Sequence, residues 1–126
     1  MKLSCVMVVD DCEPDQFICK AMIESYDSSI VILQAYDGQE ALEILASTEQ
    51  QPDIIFLDIN MPRMNGHEFL AVYEKQELSK ASVVIMLTSS SQERDKERSM
   101  ACHYVKSYLV KPLRIENLEE LSQLIK

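Results

Sequence analysis

Chain breakers are scarce in this sequence, with two glycines and four prolines among 126 residues. So few exclude a linker-rich or collagen-like chain and fit one compact domain. Also missing is any apolar run of membrane-spanning length, so no membrane association is expected. The opening MKLSCVMVVDD has one lysine and a short apolar run, but two aspartates stand where a small-residue cleavage site belongs. No signal peptide is expected there. The four cysteines, Cys5, Cys12, Cys19 and Cys102, form no C-x-x-C pair and no zinc-type spacing with His67 or His103. They read as free thiols of a reducing, cytoplasmic compartment. Basic residues are few, 12 against 21 acidic ones, for a net charge of −9. A surface that acidic repels nucleic acid phosphates, so no direct nucleic acid binding is expected. Internal repeats, low-complexity segments and interdomain linkers are absent from the sequence.

What the chain does have is alternation. Apolar runs at 5–9 (CVMVV), 30–35 (IVILQA), 54–57 (IIFL), 83–87 (VVIML) and 108–110 (YLV) are short, β-branched or bulky, and mostly without polar interruption. Strands buried on both faces have that character. Helices are predicted between and after them, over 15–25, 39–48, 67–76, 91–100 and 114–125. Four of the five carry apolar residues at helical spacing: Phe17, Ile18, Ala21 and Met22; Ala41, Leu42, Ile44 and Leu45; Phe69, Leu70 and Tyr73; Leu118, Leu121, Leu124 and Ile125. The segment SQERDKERSM is almost wholly polar and is read as helix from propensity and from its place in the alternation. Asp37-Gly38 and Asn65-Gly66 mark turns, Pro52 precedes the third strand and Pro112 follows the fifth. Repeated strand–helix units imply right-handed crossovers and a parallel sheet covered on both faces, a doubly wound α/β domain.

In open parallel sheets, ligands bind beyond the carboxyl ends of the strands. The first strand ends in Asp10-Asp11, the third in Asp58, the fourth in Thr88 and the fifth in Lys111. Taken singly, each has a plain structural reading: a helix-starting turn, a loop aspartate, a helix cap, a solvated lysine. Together they bring complementary chemistry to one edge. Three carboxylates in one pocket repel unless a cation joins them or a pKa rises. A hard divalent cation such as Mg²⁺ suits Asp10 and Asp11. Asp58 then keeps an oxygen to attack phosphorus, forming an acyl phosphate. Lys111 would pair with the transferring oxygens, and the Thr88 hydroxyl would hydrogen-bond to the bound group.

VVDD at 8–11, DINMPRMNG at 58–66, LTSS at 87–90 and YLVKP at 108–112 together resemble the receiver domains of two-component response regulators, which include the chemotaxis regulator. The resemblance covers the whole chain. It implies a flavodoxin-like five-stranded parallel sheet in the order 2-1-3-4-5, with five helices, and a single receiver domain over 1–126 with no output domain. It also implies that Asp58 is the phosphoacceptor, served by a sensor histidine kinase or a phosphotransfer protein. Asp11 would be the direct Mg²⁺ ligand, with Asp10 acting through water, Asp58 as a second ligand and the Asn60 carbonyl as a third. Thr88 matches the switch hydroxyl, Lys111 the phosphate-pairing lysine and Tyr108 the aromatic that turns inward on phosphorylation. Lys111-Pro112 is expected to be cis. The surface of the fourth helix, fifth strand and fifth helix would dock a downstream protein. The implied mechanism is a population shift driven by the phosphoryl charge. The role is that of a signalling switch rather than an enzyme, beyond Mg²⁺-dependent self-phosphorylation from phosphodonors and self-dephosphorylation.

Two departures stand out. MACHYVKS stands where many family members place a glycine-containing turn before the fifth strand, and the resemblance implies that Asn60 and Ser90 occupy positions whose side chains tune dephosphorylation in the family. Three rivals remain at this stage. A haloacid dehalogenase-type phosphatase needs a second aspartate two residues after the nucleophile, where this chain has Asn60. A flavodoxin needs a hydroxyl- and glycine-rich phosphate loop, where DDCEPD would repel the phosphate. The third is a receiver-like module that binds partners without being phosphorylated.

Overall fold

The computed structural model describes residues 3–76 and 82–124. Five strands and five helices alternate: β1 Cys5–Val9, α1 Glu13–Tyr26, β2 Val31–Ala35, α2 Gly38–Ser47, β3 Ile54–Leu57, α3 Gly66–Lys75, β4 Val83–Thr88, α4 Glu93–Met100, β5 Val105–Val110 and α5 Ile115–Leu124. The strands are all parallel, in the order β2-β1-β3-β4-β5. The three central strands are apolar along nearly their whole length because both of their faces are covered.

Alternate residues of each strand serve opposite cores. Met7, Val9, Ile55, Leu57, Val84 and Met86 pack with Ala41, Leu42 and Leu45 of α2 and Phe69, Leu70 and Tyr73 of α3. Val6, Val8, Ile54, Phe56, Ile85 and Leu87 pack with Cys19 and Ile23 of α1 and Leu118 and Leu121 of α5. This period-two division makes the fold doubly wound.

Three expectations need correction or completion. The α1 stripe Phe17, Ile18, Ala21 and Met22 is not the buried face: Phe17 is 72% exposed and Ile18 45%. Gln16, Cys19 and Ile23 are buried instead. Gln16 turns the helix, because its side-chain amide nitrogen reaches the carbonyls of Val8, Asp10 and Ala35 at 3.1, 3.0 and 2.8 Å. A buried polar group with that many partners costs little to bury. The fifth strand starts at Val105 rather than 108. It is an edge strand with a register shift opposite Val84/Ile85 that admits Lys106, and so it lacks a continuous apolar run. On α5, Leu118 and Leu121 are buried while Leu124 is 64% exposed, and Ile125 lies outside the described residues.

The glycine-free turn before β5 closes without left-handed backbone. Ala101 stays in the right-handed region, Cys102 N–H donates to the Ser99 carbonyl, and Val105 N–H donates to the Cys102 carbonyl.

Candidate functional site

The backbone ladders continue past the strand ends and set the site. Val9 faces Leu57 across β1 and β3, so Asp10 and Asp58 leave the sheet side by side. Asp58 N–H donates to the Val9 carbonyl and Asp10 N–H to the Ala35 carbonyl, each at 3.0 Å, while Lys111 N–H donates to the Thr88 carbonyl at 2.9 Å. Among the described residues, Asp10, Asp11 and Asp58 form a trio whose carboxylate oxygens lie within 4.8 Å of one another. Asp10 and Asp58 are buried and Asp11 is exposed.

Lys111 reaches into this cluster from the loop after β5. Its Nζ donates to Asp10 Oδ2 at 2.5 Å, Asp15 Oδ2 at 2.7 Å and Asp58 Oδ2 at 3.1 Å. Asp58 Oδ1 accepts the N–H of Ile59 at 2.8 Å. Burial pushes the Asp10 carboxyl up, joined by the charge of Asp58, against the opposing pull of Lys111 and the Cys12 N–H. Burial alone would lower the Lys111 ammonium, but its bonds to Asp10 and Asp15 and the charge of Asp58 raise it above the ordinary lysine value. Three carboxylates thus share one ammonium, a fourth, Asp11, stands beside two of them, and the surplus negative charge invites a cation. The donors are all oxygens, the set that a hard divalent cation takes.

The loop after β3 is fixed from two sides. Gly66 N–H donates to the Ile59 carbonyl at 2.8 Å, and Gly38 N–H to the Met64 carbonyl at 2.9 Å. A Cβ at Gly66 would lie 2.3 Å from the Asp58 carbonyl oxygen, so only glycine lets α3 start this close to Asp58. Arg63 sits at φ 63°, a rare conformation for a side-chain-bearing residue, and its guanidinium holds Asp37 at 2.7 Å. Asp37 in turn caps α2 through the Glu40 N–H. Asn60 is exposed at the start of this loop.

Thr88 is fully buried at the end of β4, and its hydroxyl oxygen accepts the Ser90 N–H at 3.3 Å. Tyr108 is half-buried, with its hydroxyl donating to the Ser90 carbonyl at 2.9 Å. Ser90 Oγ donates to Asp95 Oδ2 at 2.6 Å, and the other Asp95 oxygen faces His67 Nε2 at 3.5 Å. Strand end, aromatic and α4 therefore meet at Ser90, and α3 joins them through Asp95. Lys111-Pro112 is cis, as expected.

The sequence-predicted residues Asp10, Asp11, Asp58 and Lys111 converge, with Thr88 at the neighbouring strand end and Tyr108 one short link away through Ser90. Asp15 and Gln16 were missed, and Gly66 was read as a turn residue without its close approach to Asp58. Asp15 carried one signal, its place in the first turn after the strand that ends in Asp10-Asp11. Gln16 carried none, because a buried glutamine reads like a surface one.

The response regulator receiver domain pattern matches residues 6–123. The probable methanogenesis regulatory protein FilR2 of Methanothrix harundinacea is 36% identical over 71% of this chain, which spans 60% of that protein. Protein PilG of Pseudomonas aeruginosa is 33% identical over 90% of this chain and 80% of its own. A two-component response regulator from Cytophaga hutchinsonii superposes with a TM-score of 0.89 at 29% identity, covering 99% of this chain and 98% of that one. The Mn²⁺-bound form of response regulator Rcp1 superposes at 0.75 with 26% identity, covering 97% and 91%. The phosphatase and flavodoxin readings thereby give way: the chain belongs to the response regulator receiver domain family of two-component phosphorelay signalling.

Proposed function

We propose that this chain accepts a phosphoryl group on Asp58 from a sensor histidine kinase or a phosphotransfer protein, in a Mg²⁺-dependent reaction, and thereby switches a partner-binding surface. The observation that carries the reading is the meeting of Asp10, Asp11 and Asp58 within 4.8 Å, with the Lys111 ammonium bonded to two of them. Receiver domains bind Mg²⁺ at an acidic pocket, and this oxygen-only trio with its surplus charge fits that ion; the Mn²⁺-bound relative supports the same fit. Asp10, Asp11, Asp58 and the Asn60 carbonyl would hold the ion. Bound there, it offsets charge on the transferring phosphoryl oxygens.

The chain's own residues do the rest. A carboxylate oxygen of Asp58 forms the bond to phosphorus as the phosphorus–nitrogen bond of the donor histidine breaks, and the leaving imidazole keeps the electron pair. Lys111 stabilises the oxygens that gain charge. Hydrolysis of the acyl phosphate by water returns Asp58 to its starting state. No other catalytic activity is assigned to the unit. The Thr88 hydroxyl turns from Ser90 towards the phosphoryl group, and Tyr108 moves inward in its wake. That movement reshapes the α4–β5–α5 surface, where a downstream protein docks. The size of the shift is bounded by how differently the phosphoryl group interacts with the two states. Residues 1–126 act as one receiver unit in the cytoplasm, with neither nucleic acid nor membrane as a direct partner. Among the described residues no helix is long and apolar enough to cross a membrane.

Intact-mass spectrometry after incubation with a small phosphoramidate donor tests the reading. One added phosphoryl group is expected with Mg²⁺, and none with a chelator or in Asp58→Asn. An unmodified wild-type chain under conditions of slow hydrolysis would sink the proposal in favour of a phosphorylation-independent module.

A further inference from the structure

The three protons of the Lys111 ammonium are matched by three carboxylates, on Asp10, Asp15 and Asp58. Two of these belong to the trio with metal-ligand spacing, whereas Asp15 does not. A divalent cation entering the trio competes with the ammonium for Asp10 and Asp58. Without another acceptor, the lysine would either oppose the ion or swing into solvent. Asp15 supplies that acceptor at 2.7 Å from the first turn of α1, at the rim of the cluster, where its side chain is 35% exposed.

We propose that Asp15 is a positioning residue for Lys111, holding the ammonium beside Asp58 while Mg²⁺ takes Asp10, so that ion and lysine occupy the site together. This rests on the functional reading above and adds to it a residue that the acceptor chemistry itself does not require. In the metal-free state the lysine bridges all three carboxylates. When the ion binds, the Asp15 bond persists while those to Asp10 and Asp58 lengthen, and the donors they release face the incoming phosphoryl oxygens. The hydrogen bond from Lys111, outweighing the penalty of burial, also holds the Asp15 carboxyl below its ordinary value.

Mg²⁺ titration calorimetry on the wild type, Asp15→Asn, Lys111→Ala and the double variant tests this. Each protein is first shown to unfold cooperatively. Simple loss of a negative charge weakens Mg²⁺ binding by the same factor whether or not Lys111 is present. Positioning makes the loss depend on the lysine. In the Lys111 background, Asp15→Asn is expected to weaken binding about fivefold, within the range by which members of one charge network couple; in the Lys111→Ala background the loss falls to about twofold or less. Asp15→Glu, which keeps the acceptor on a longer stem, should recover most of the affinity. Equal losses in the two backgrounds, or no recovery by glutamate, would overturn the inference and leave the acceptor reading intact. Failure of the wild type to bind Mg²⁺ would overturn both.

Discussion

At the scale of single residues, the site depends on side chains, and one missing side chain, that place Asp58 against its neighbours. Gly66 is the sharpest case, because any Cβ there meets the backbone oxygen of Asp58 at 2.3 Å and backbone cannot yield as a flexible side chain does. Gly66→Ala is expected to cost about 1–3 kcal/mol, the usual range for overpacking, read as a lower urea midpoint with an unchanged slope. Phosphoryl uptake should slow in the same variant, since the loop carrying Asp58 has to shift. Gln16 matters in a similar way. Its amide spans β1, the residue after it, and β2, so Gln16→Ala should destabilise by about 1–3 kcal/mol in a denaturant titration. The carboxylate trio and Lys111 were readable from sequence because Asp10, Asp58 and Lys111 directly follow apolar runs and Asp11 adjoins Asp10. Asp15 had only its place after Asp10-Asp11 to suggest a role, since its partner Lys111 is 96 residues away; Gln16 had nothing, because no local pattern distinguishes a buried glutamine that spans β1 and β2 from an exposed one.

At the scale of elements, periodicity served α2, α3 and α5 well and misled at α1. There the stripe Phe17, Ile18, Ala21 and Met22 is centred roughly 160° around the helix from the buried Gln16, Cys19 and Ile23, close to the opposite face. A buried glutamine replaced the apolar residue that the pattern needed at position 16. The polar α4 was legible only from its place in the alternation, and its anchoring is polar too. His67 of α3 is buried against Asp95 and Arg98 of α4, with Glu74 and Cys102 lining the same cavity. Burial, helped by Arg98, depresses His67 below its ordinary value of 6.5, although Asp95 pulls the other way. The folded state therefore binds fewer protons than the unfolded chain just below that value. His67 lowers stability as pH falls from about 6.5 towards its folded pKa, and it has no such effect above that window. Urea midpoints should drop between about pH 7.5 and pH 5.5 in the wild type and drop less in His67→Gln. A slope unchanged by the substitution would show that His67 does not titrate as described.

At the scale of the whole molecule, the parallel sheet was legible because both core faces impose the same apolar character on β1, β3 and β4, whereas the strand order came with the resemblance. The edges were harder to read. β5 has a solvent side, so Lys106 and Ser107 concealed its first half. The molecule is strongly acidic overall, and much of the repulsion is concentrated at one sheet edge. Mg²⁺ binding there should stabilise the entire fold, because the unfolded chain has no assembled trio. At a hundredfold excess over the dissociation constant the gain is about 2.7 kcal/mol, visible as a higher thermal midpoint than in chelator. Asp11→Asn should remove most of that rise. A midpoint indifferent to Mg²⁺ would contradict the site as drawn.

The claim on which everything else rests is that Asp58, among several nearby carboxylates, is the one that takes the phosphoryl group. Borohydride reduces an acyl phosphate to an alcohol but leaves free carboxylates alone, so reduction after phosphorylation marks the acceptor permanently. Peptide mass spectrometry of the reduced chain is expected to find homoserine at position 58 and unmodified aspartates at 10, 11 and 15. Homoserine at any of those three positions, or at none, would contradict the account.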